Sequence, residues 1–341
     1  MKEKGKTMKR SRFMLLLTGI YAVAAFTVIF AVAATMNANM VMDNSSDNRV
    51  TIDTSVRHDL RLTGVPADAQ DICFSHDSRY CSYLYQGVLT IVDMAANKAV
   101  KTITEKSAIT CASLMSDRNI VIYCTINKKN VLSLKTYTIE SDSIFDHKTF
   151  SVPKNTSVRQ LDYSATSSYV FMHLRSGSGS KAKDMVYYLD IMKKVHKTNL
   201  NYAVNSMVQL NNSIRYYAED SKGILHFENR SVKGFEKKKV RLLGCDAEDY
   251  VYLQDMAEPT TIYKLDQKNN LSKFTLQDPE FAVYSDKEGV YVIYGNAVIN
   301  LAGDEVRRMG YDSNLSFIGM GGSNMFFRNK DGDIVSIKKV I

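Results

Sequence analysis

Residues 72–103 read ICFSHDSRYCSYLYQGVLTIVDMAANKAVKTI and divide into four short runs, 72–75, 80–85, 88–93 and 99–103. Turn residues separate them: His76-Asp77-Ser78-Arg79 lies between the first two runs and Gln86-Gly87 between the next two. Gly, Asp and Ser supply the backbone conformations of tight turns, whereas Ile, Val, Tyr and Phe fit a pleated, half-buried surface. The stretch therefore predicts a four-stranded antiparallel meander.

The ending of its third run recurs down the chain. Leu89-Thr90-Ile91-Val92-Asp93 is followed by Tyr137-Thr138-Ile139-Glu140, Tyr187-Tyr188-Leu189-Asp190, Ile224-Leu225-His226-Phe227-Glu228 and Ile262-Tyr263-Lys264-Leu265-Asp266. Two later copies lack the acid, Val298-Ile299-Asn300-Leu301-Ala302 and Ile334-Val335-Ser336-Ile337-Lys338. Successive copies stand 47, 50, 38, 38, 36 and 36 residues apart, close to the ~40–50 residues of a four-stranded propeller blade. Dense apolar runs precede them, such as Ile120-Val121-Ile122-Tyr123 and Tyr250-Val251-Tyr252-Leu253. A strand sandwiched between neighbouring blades buries both faces, so alternation is lost. The expectation is an all-β chain, a β-propeller of seven four-stranded blades.

The segment from Phe74-Ser75-His76-Asp77-Ser78-Arg79-Tyr80 through Gly87 to Asp93 resembles a blade of the WD40/YVTN-type bacterial β-propellers. The chain departs from WD40 proteins proper in having no Trp and no Gly-His pair. In layout it is similar to single-pass, membrane-anchored propeller proteins of Gram-positive bacteria. The last repeat ends at Lys338 and the sequence at Ile341, which leaves the seventh blade without a fourth strand. Unpaired sheet edges invite aggregation, so another segment must fill that place. Val56-Arg57-His58-Asp59-Leu60-Arg61-Leu62, within 51–62, is the expected supplier. The first and last segments of the propeller would then share one blade.

The 341 residues carry 44 Lys and Arg against 36 Asp and Glu, a net charge of +8. Lys2, Lys4, Lys6, Lys9, Arg10 and Arg12 against Glu3 place +5 of it in residues 1–12, and residues 35–341 hold +3. A nucleic-acid-binding domain gathers its cations on the folded part to neutralise phosphates. This distribution predicts no nucleic-acid partner.

Residues 13–34, FMLLLTGIYAVAAFTVIFAVAA, are 22 uncharged residues. As a helix at ~1.5 Å per residue they span roughly 33 Å, enough for a hydrocarbon core. The flanking cations orient such a helix with its N-terminus in the cytoplasm. The competing reading is a cleaved signal peptide, with Ala31 and Ala33 suited to a cleavage site, but signal h-regions run only ~7–15 residues. The expected organisation is a cytoplasmic basic tail (1–12), a transmembrane helix (13–34), a polar linker (35–49) and an extracytoplasmic propeller (50–341).

Little in the chain signals chemistry. Cys73, Cys81, Cys111, Cys124 and Cys245 are odd in number, show no CxxC, and read as small buried hydrophobes. His58, His76, His147, His173, His196 and His226 are scattered without HExxH, so no metal or other cofactor is expected. No GxSxG is present. The stretch RSGSGSKAK at 175–183 misses phosphate-loop spacing and reads as a flexible hairpin loop. The repeat acids Asp93, Glu140, Asp190, Glu228 and Asp266 sit where a third strand turns into a fourth, where carboxylates bond nearby backbone N–H groups.

The expected function is therefore a non-enzymatic, membrane-tethered binding or scaffolding module that presents a propeller face to a protein or envelope ligand. The face of choice carries the loops between second and third strands and between blades. Its candidate residues are Lys128, Lys129, Lys154, Lys181, Lys183, Tyr202, Asp278, Glu280 and Asp312. The alternative is an extracellular propeller hydrolase or lactonase. It would draw on first-strand groups such as Asp71, Asp162 and Asp246, with Cys111, Ser206 and Ser316 in the same layer. Carbohydrate binding is a third reading, carried by Tyr in the absence of Trp.

Overall fold

The computed structural model describes residues 60–115, 117–164, 166, 168–276, 281–285, 289–294, 297–301, 307–310 and 314–338. Segment 13–34 lies outside them, and among the described residues no helix is long and apolar enough to cross a membrane. The described residues form seven four-stranded antiparallel sheets. After β1 (Arg61–Leu62), blade one holds β2 (Gln70–Phe74), β3 (Tyr80–Tyr85), β4 (Val88–Asp93) and β5 (Lys98–Ile103). Blade two holds β6 (Ile109–Leu114), β7 (Ile120–Ile126), β8 (Val131–Thr138) and β9 (Ser143–Ser151). Blade three holds β10 (Thr156–Tyr163), β11 (Val170–Ser176), β12 (Lys183–Leu189) and β13 (Val195–Asn199). Blade four holds β14 (Val204–Gln209), β15 (Tyr216–Asp220), β16 (Leu225–Phe227) and the two-residue β17 (Arg230–Ser231). Blade five holds β18 (Val240–Cys245), β19 (Val251–Asp255), β20 (Thr261–Leu265) and β21 (Leu271–Thr275). Blade six holds β22 (Ala282–Ser285), β23 (Val290–Tyr294), β24 (Ala297–Asn300) and β25 (Arg307–Gly310). Blade seven holds β26 (Ser316–Gly321), β27 (Asn324–Arg328) and β28 (Ile334–Lys338), with β1 as its fourth strand.

All seven sequence repeats are third strands, and the dense apolar runs before them are second strands. β15 and β19 are buried at every position, as expected of strands covered on both faces. The cores lie between blades. Leu89 and Ile91 of β4 pack with Val121 and Tyr123 of β7 in one cluster, and Leu132 and Leu134 of β8 pack with Met172 and Leu174 of β11 in the next. Each such fully buried side chain contributes about 1.5–3 kcal/mol.

The ring closes as the missing fourth strand requires. Arg61 pairs with Val335 and Leu62 with Ile334. Ser336 N–H donates to Leu60 O at 3.0 Å, Leu60 N–H to Ser336 Oγ at 3.1 Å, and Arg61 Nε to Asp333 at 2.9 Å. Residues 51–59 of the proposed supplier lie outside the described residues. Blade one meets blade seven through the stacked rings of Phe74 and Phe326, 3.8 Å apart. A Cβ on Gly321 would stand 2.7 Å from Phe74 Cβ and from Ser75 O, so only glycine permits this approach. The core clusters of the described residues and the β1–β28 pairs all lie within 60–338, and Thr51–Ile341 is a compact unit of its own.

Antiparallel order gives the blades two ends. Loops between blades and turns between second and third strands make the entrance face; the other two kinds of turn make the hairpin face. As a fourth strand, β1 runs from the hairpin face towards the entrance face, so the chain reaches the ring on the hairpin side.

One expectation is corrected. Residues 175–183 are not all loop: Arg175 and Ser176 end β11, Lys183 begins β12, and a short 3-10 turn (Gly179–Lys181) lies between. Asp184 holds Arg175 in the strand by two parallel hydrogen bonds, 2.8 and 2.9 Å long.

Candidate functional site

Backbone hydrogen bonds knit the entrance face into a belt. Among the described residues, several incoming loops touch the second-to-third turn of the blade they leave: Ile109 N–H donates to Gly87 O at 3.0 Å and Val240 N–H to Gly223 O at 2.8 Å. Some also touch that of the blade they start, as in Ser221 N–H to Ala203 O and Met256 N–H to Lys239 O, 2.9 and 3.0 Å. At Gln86-Gly87 the φ values of 50° and 77° suit a type I′ hairpin turn, where glycine carries no steric cost.

Five of the expected residues sit on one sector of this belt. Lys128 and Lys129 lie in the turn at 127–130, where Asn127 Oδ1 accepts Lys129 N–H and Val131 N–H at 2.9 and 3.1 Å. Lys154 is on the loop from blade two to blade three, and Lys181 and Lys183 border the turn of blade three. Val152 N–H donates to Asn130 O at 2.9 Å and Gly177 N–H to Asn155 O at 3.0 Å, which holds the three loops side by side. All five lysines are exposed, and among the described residues none is paired with a carboxylate.

Tyr202 stands on the next incoming loop but is committed to packing. Its ring stacks on His226 at 3.9 Å, its hydroxyl donates to Glu228 O, and burial raises its pKa. Asp278, Glu280 and Asp312 lie outside the described residues.

The first strands are less regular than the sequence suggests. In six blades a bulge interrupts their pairing with the second strand, with the unmatched residues at 71–72, Thr110, Arg159, Asn205, Leu243 and Ile318. Bulges increase the local twist and re-aim the side chains beyond them. Past them the first strands enclose a recess of about 450 Å³ that reaches the hairpin face at His76 and Gly322. Its walls include Met115, Met207, Met320, Tyr163 and Tyr284, with Gln160 Nε2 donating to Asp162 Oδ2 at 2.5 Å. Cys73 also lines it, but burial pushes its thiol up to about 11, so little of the nucleophilic thiolate exists at neutral pH.

Of the three first-strand acids, only Asp162 lines this recess. Asp71 accepts Ala112 N–H from blade two at 2.9 Å. Asp246 is buried and accepts Glu248 N–H, Tyr250 N–H and the Tyr252 hydroxyl. Ser206 donates to the buried Glu219 at 3.0 Å, Cys111 is buried, and Ser316 is exposed at the start of β26. Among the repeat acids, Asp93, Asp190 and Asp266 accept backbone N–H groups within their own hairpins, while Glu228 lies 3.5 Å from Arg215. Glu140 is exposed. The described residues hold no group of three potential metal ligands.

Sequence reasoning missed a charged staple between blades three and four. Asp184 is fully buried; His173 Nε2 lies 2.7 Å from its Oδ1, Arg175 binds both oxygens, and Val204 N–H donates to Oδ2 at 3.0 Å. The hydrogen bonds from His173 and Arg175 outweigh burial and hold the Asp184 carboxyl at about 2. The available signal was Asp184 itself, an acid leading into the apolar run Met185-Val186-Tyr187. No family model matches the chain, and no curated protein matches it.

Proposed function

We propose that the chain is a membrane-tethered, non-enzymatic binding module of the WD40/YVTN type, whose entrance face over blades two and three holds an acidic ligand, protein or envelope polymer. The observation that carries this reading is the set of five exposed, acid-free lysines on three hydrogen-bonded loops. Like charges held together raise the local concentration of an anionic partner and speed its capture. A tether joining the ring on the hairpin side leaves these loops at the far end of the blades. An enzyme would need converging acids or histidines, and Asp71, Asp246 and Glu219 are instead committed to holding strands and blades together.

The test is binding of polyglutamate and of polyglycerol phosphate to the intact protein and to a variant with all five lysines changed to Gln. The variant should melt as the parent does, because the side chains are exposed, and should lose binding by an order of magnitude or more. Equal binding by both proteins would remove the lysine sector as the site.

A further inference from the structure

We infer that the hairpin-face corner of blades two and three is a docking surface for an anionic lipid bilayer. Four large apolar side chains are exposed there: Ile191 at 69%, Met192 at 81%, Phe145 at 52% and Ile144 at 45%. Ile191 and Met192 form the tip of the β12–β13 turn, and Ile144 and Phe145 begin β9, at the same end of the neighbouring blade. Lys193 Nζ lies 4.6 Å from the Phe145 ring centroid, which ties the two groups into one patch. The other exposed large apolar residues among those described, Val100, Met256 and Leu271, stand singly on blades one and five. Scattered apolar residues are ordinary, whereas a clustered set marks an interaction surface.

Charge selects the occupant. Lys193 and Lys194 border the patch and Lys148 lies further along β9, and among the described residues no carboxylate pairs with them. Most nearby acids are engaged, Asp190 with Met192 N–H, Lys194 N–H and His196, Asp146 with Lys135, and Asp142 with Lys101, while Glu140, exposed in the turn before β9, is in no ion pair among the described residues. An apolar tip ringed by cations suits an interface of acyl chains beneath anionic headgroups. The chain also reaches the ring on this face at Leu60. That orientation argument alone rests on the tethered reading; the patch and its charges do not.

The test uses residues 51–341, the compact unit that contains the core and the closing strand, in co-sedimentation with vesicles of phosphatidylcholine alone or mixed with phosphatidylglycerol. Binding is expected to the mixed vesicles. Ile191→Asp with Met192→Asp should weaken it roughly tenfold or more, and Lys193→Gln with Lys194→Gln by a similar factor, at unchanged melting temperature. Three results would overturn the inference: no sedimentation with either vesicle, equal binding by the apolar double variant, or loss in that variant of a self-association that the parent shows instead. Because this chain lacks 13–34, the outcome is independent of whether that segment is retained, which N-terminal sequencing of the exported protein decides.

Discussion

Blade seven takes its outer strand from the other end of the propeller, whereas blade three is continuous and is fastened to blade four by a buried carboxylate. The first joint is made of backbone pairs, one buried leucine and an exposed ion pair; the second is a charged cluster with full hydrogen bonding. Backbone closure involves every blade, because a ring that opens exposes two blade faces at once. The Asp184 staple acts locally and answers to pH. The two joints should therefore fail differently.

Three altered chains sharpen that contrast. The largest effect belongs to closure: a chain beginning at Gly64 lacks β1, and should aggregate or lose cooperative melting relative to one beginning at Asp43. An unchanged melting temperature would show that the ring does not depend on β1. Next comes Asp184→Asn, which leaves Arg175 and His173 without their anion and should destabilise the fold by about 3–5 kcal/mol in denaturant titration. The parent carries the matching pH signature. Its carboxyl is held below the unfolded value, so the stabilisation is complete above about pH 4 and disappears as pH falls through about 2, a loss of roughly 2–3 kcal/mol. The Asn variant should show a flatter acid limb; an identical one would place the acid sensitivity elsewhere. The smallest effect is Ser78→Ala. It removes a buried hydroxyl that donates to Gly321 O across the joint of blades one and seven, and should cost about 1 kcal/mol by chemical denaturation.

The parts legible in the sequence are those where burial imposes a pattern. β7 and β19 are covered on both faces and open on unbroken apolar runs, 120–124 and 251–253, and five of the seven third strands announce themselves by a turn acid, as in Leu89 to Asp93. The first strands were illegible in detail. Their bulges fall on Thr110, Arg159, Asn205, Leu243 and Ile318, which share no chemistry, because a bulge is set by pairing with the neighbouring strand. The lysines of blades two and three could be placed on the entrance face from turn positions alone. Their assembly into one sector could not, since it depends on the backbone bonds of Val152 and Gly177. The apolar corner was equally hidden, because Phe145 and Met192 belong to different blades and each looks like an ordinary strand or turn residue.

The sharing of blade seven also sets the order in which the molecule can be completed. Arg61 is synthesised before Asp333, its partner, which follows 272 residues later. At about 5–20 residues per second, roughly 15–50 s pass between the two. Throughout that interval the flank of blade one that Phe326 will cover has no neighbour, and blades two to six can stack behind it only as an open arc. Until β28 is made, the ring therefore stays open. Closure of the ring is the capture of an earlier strand by a later one.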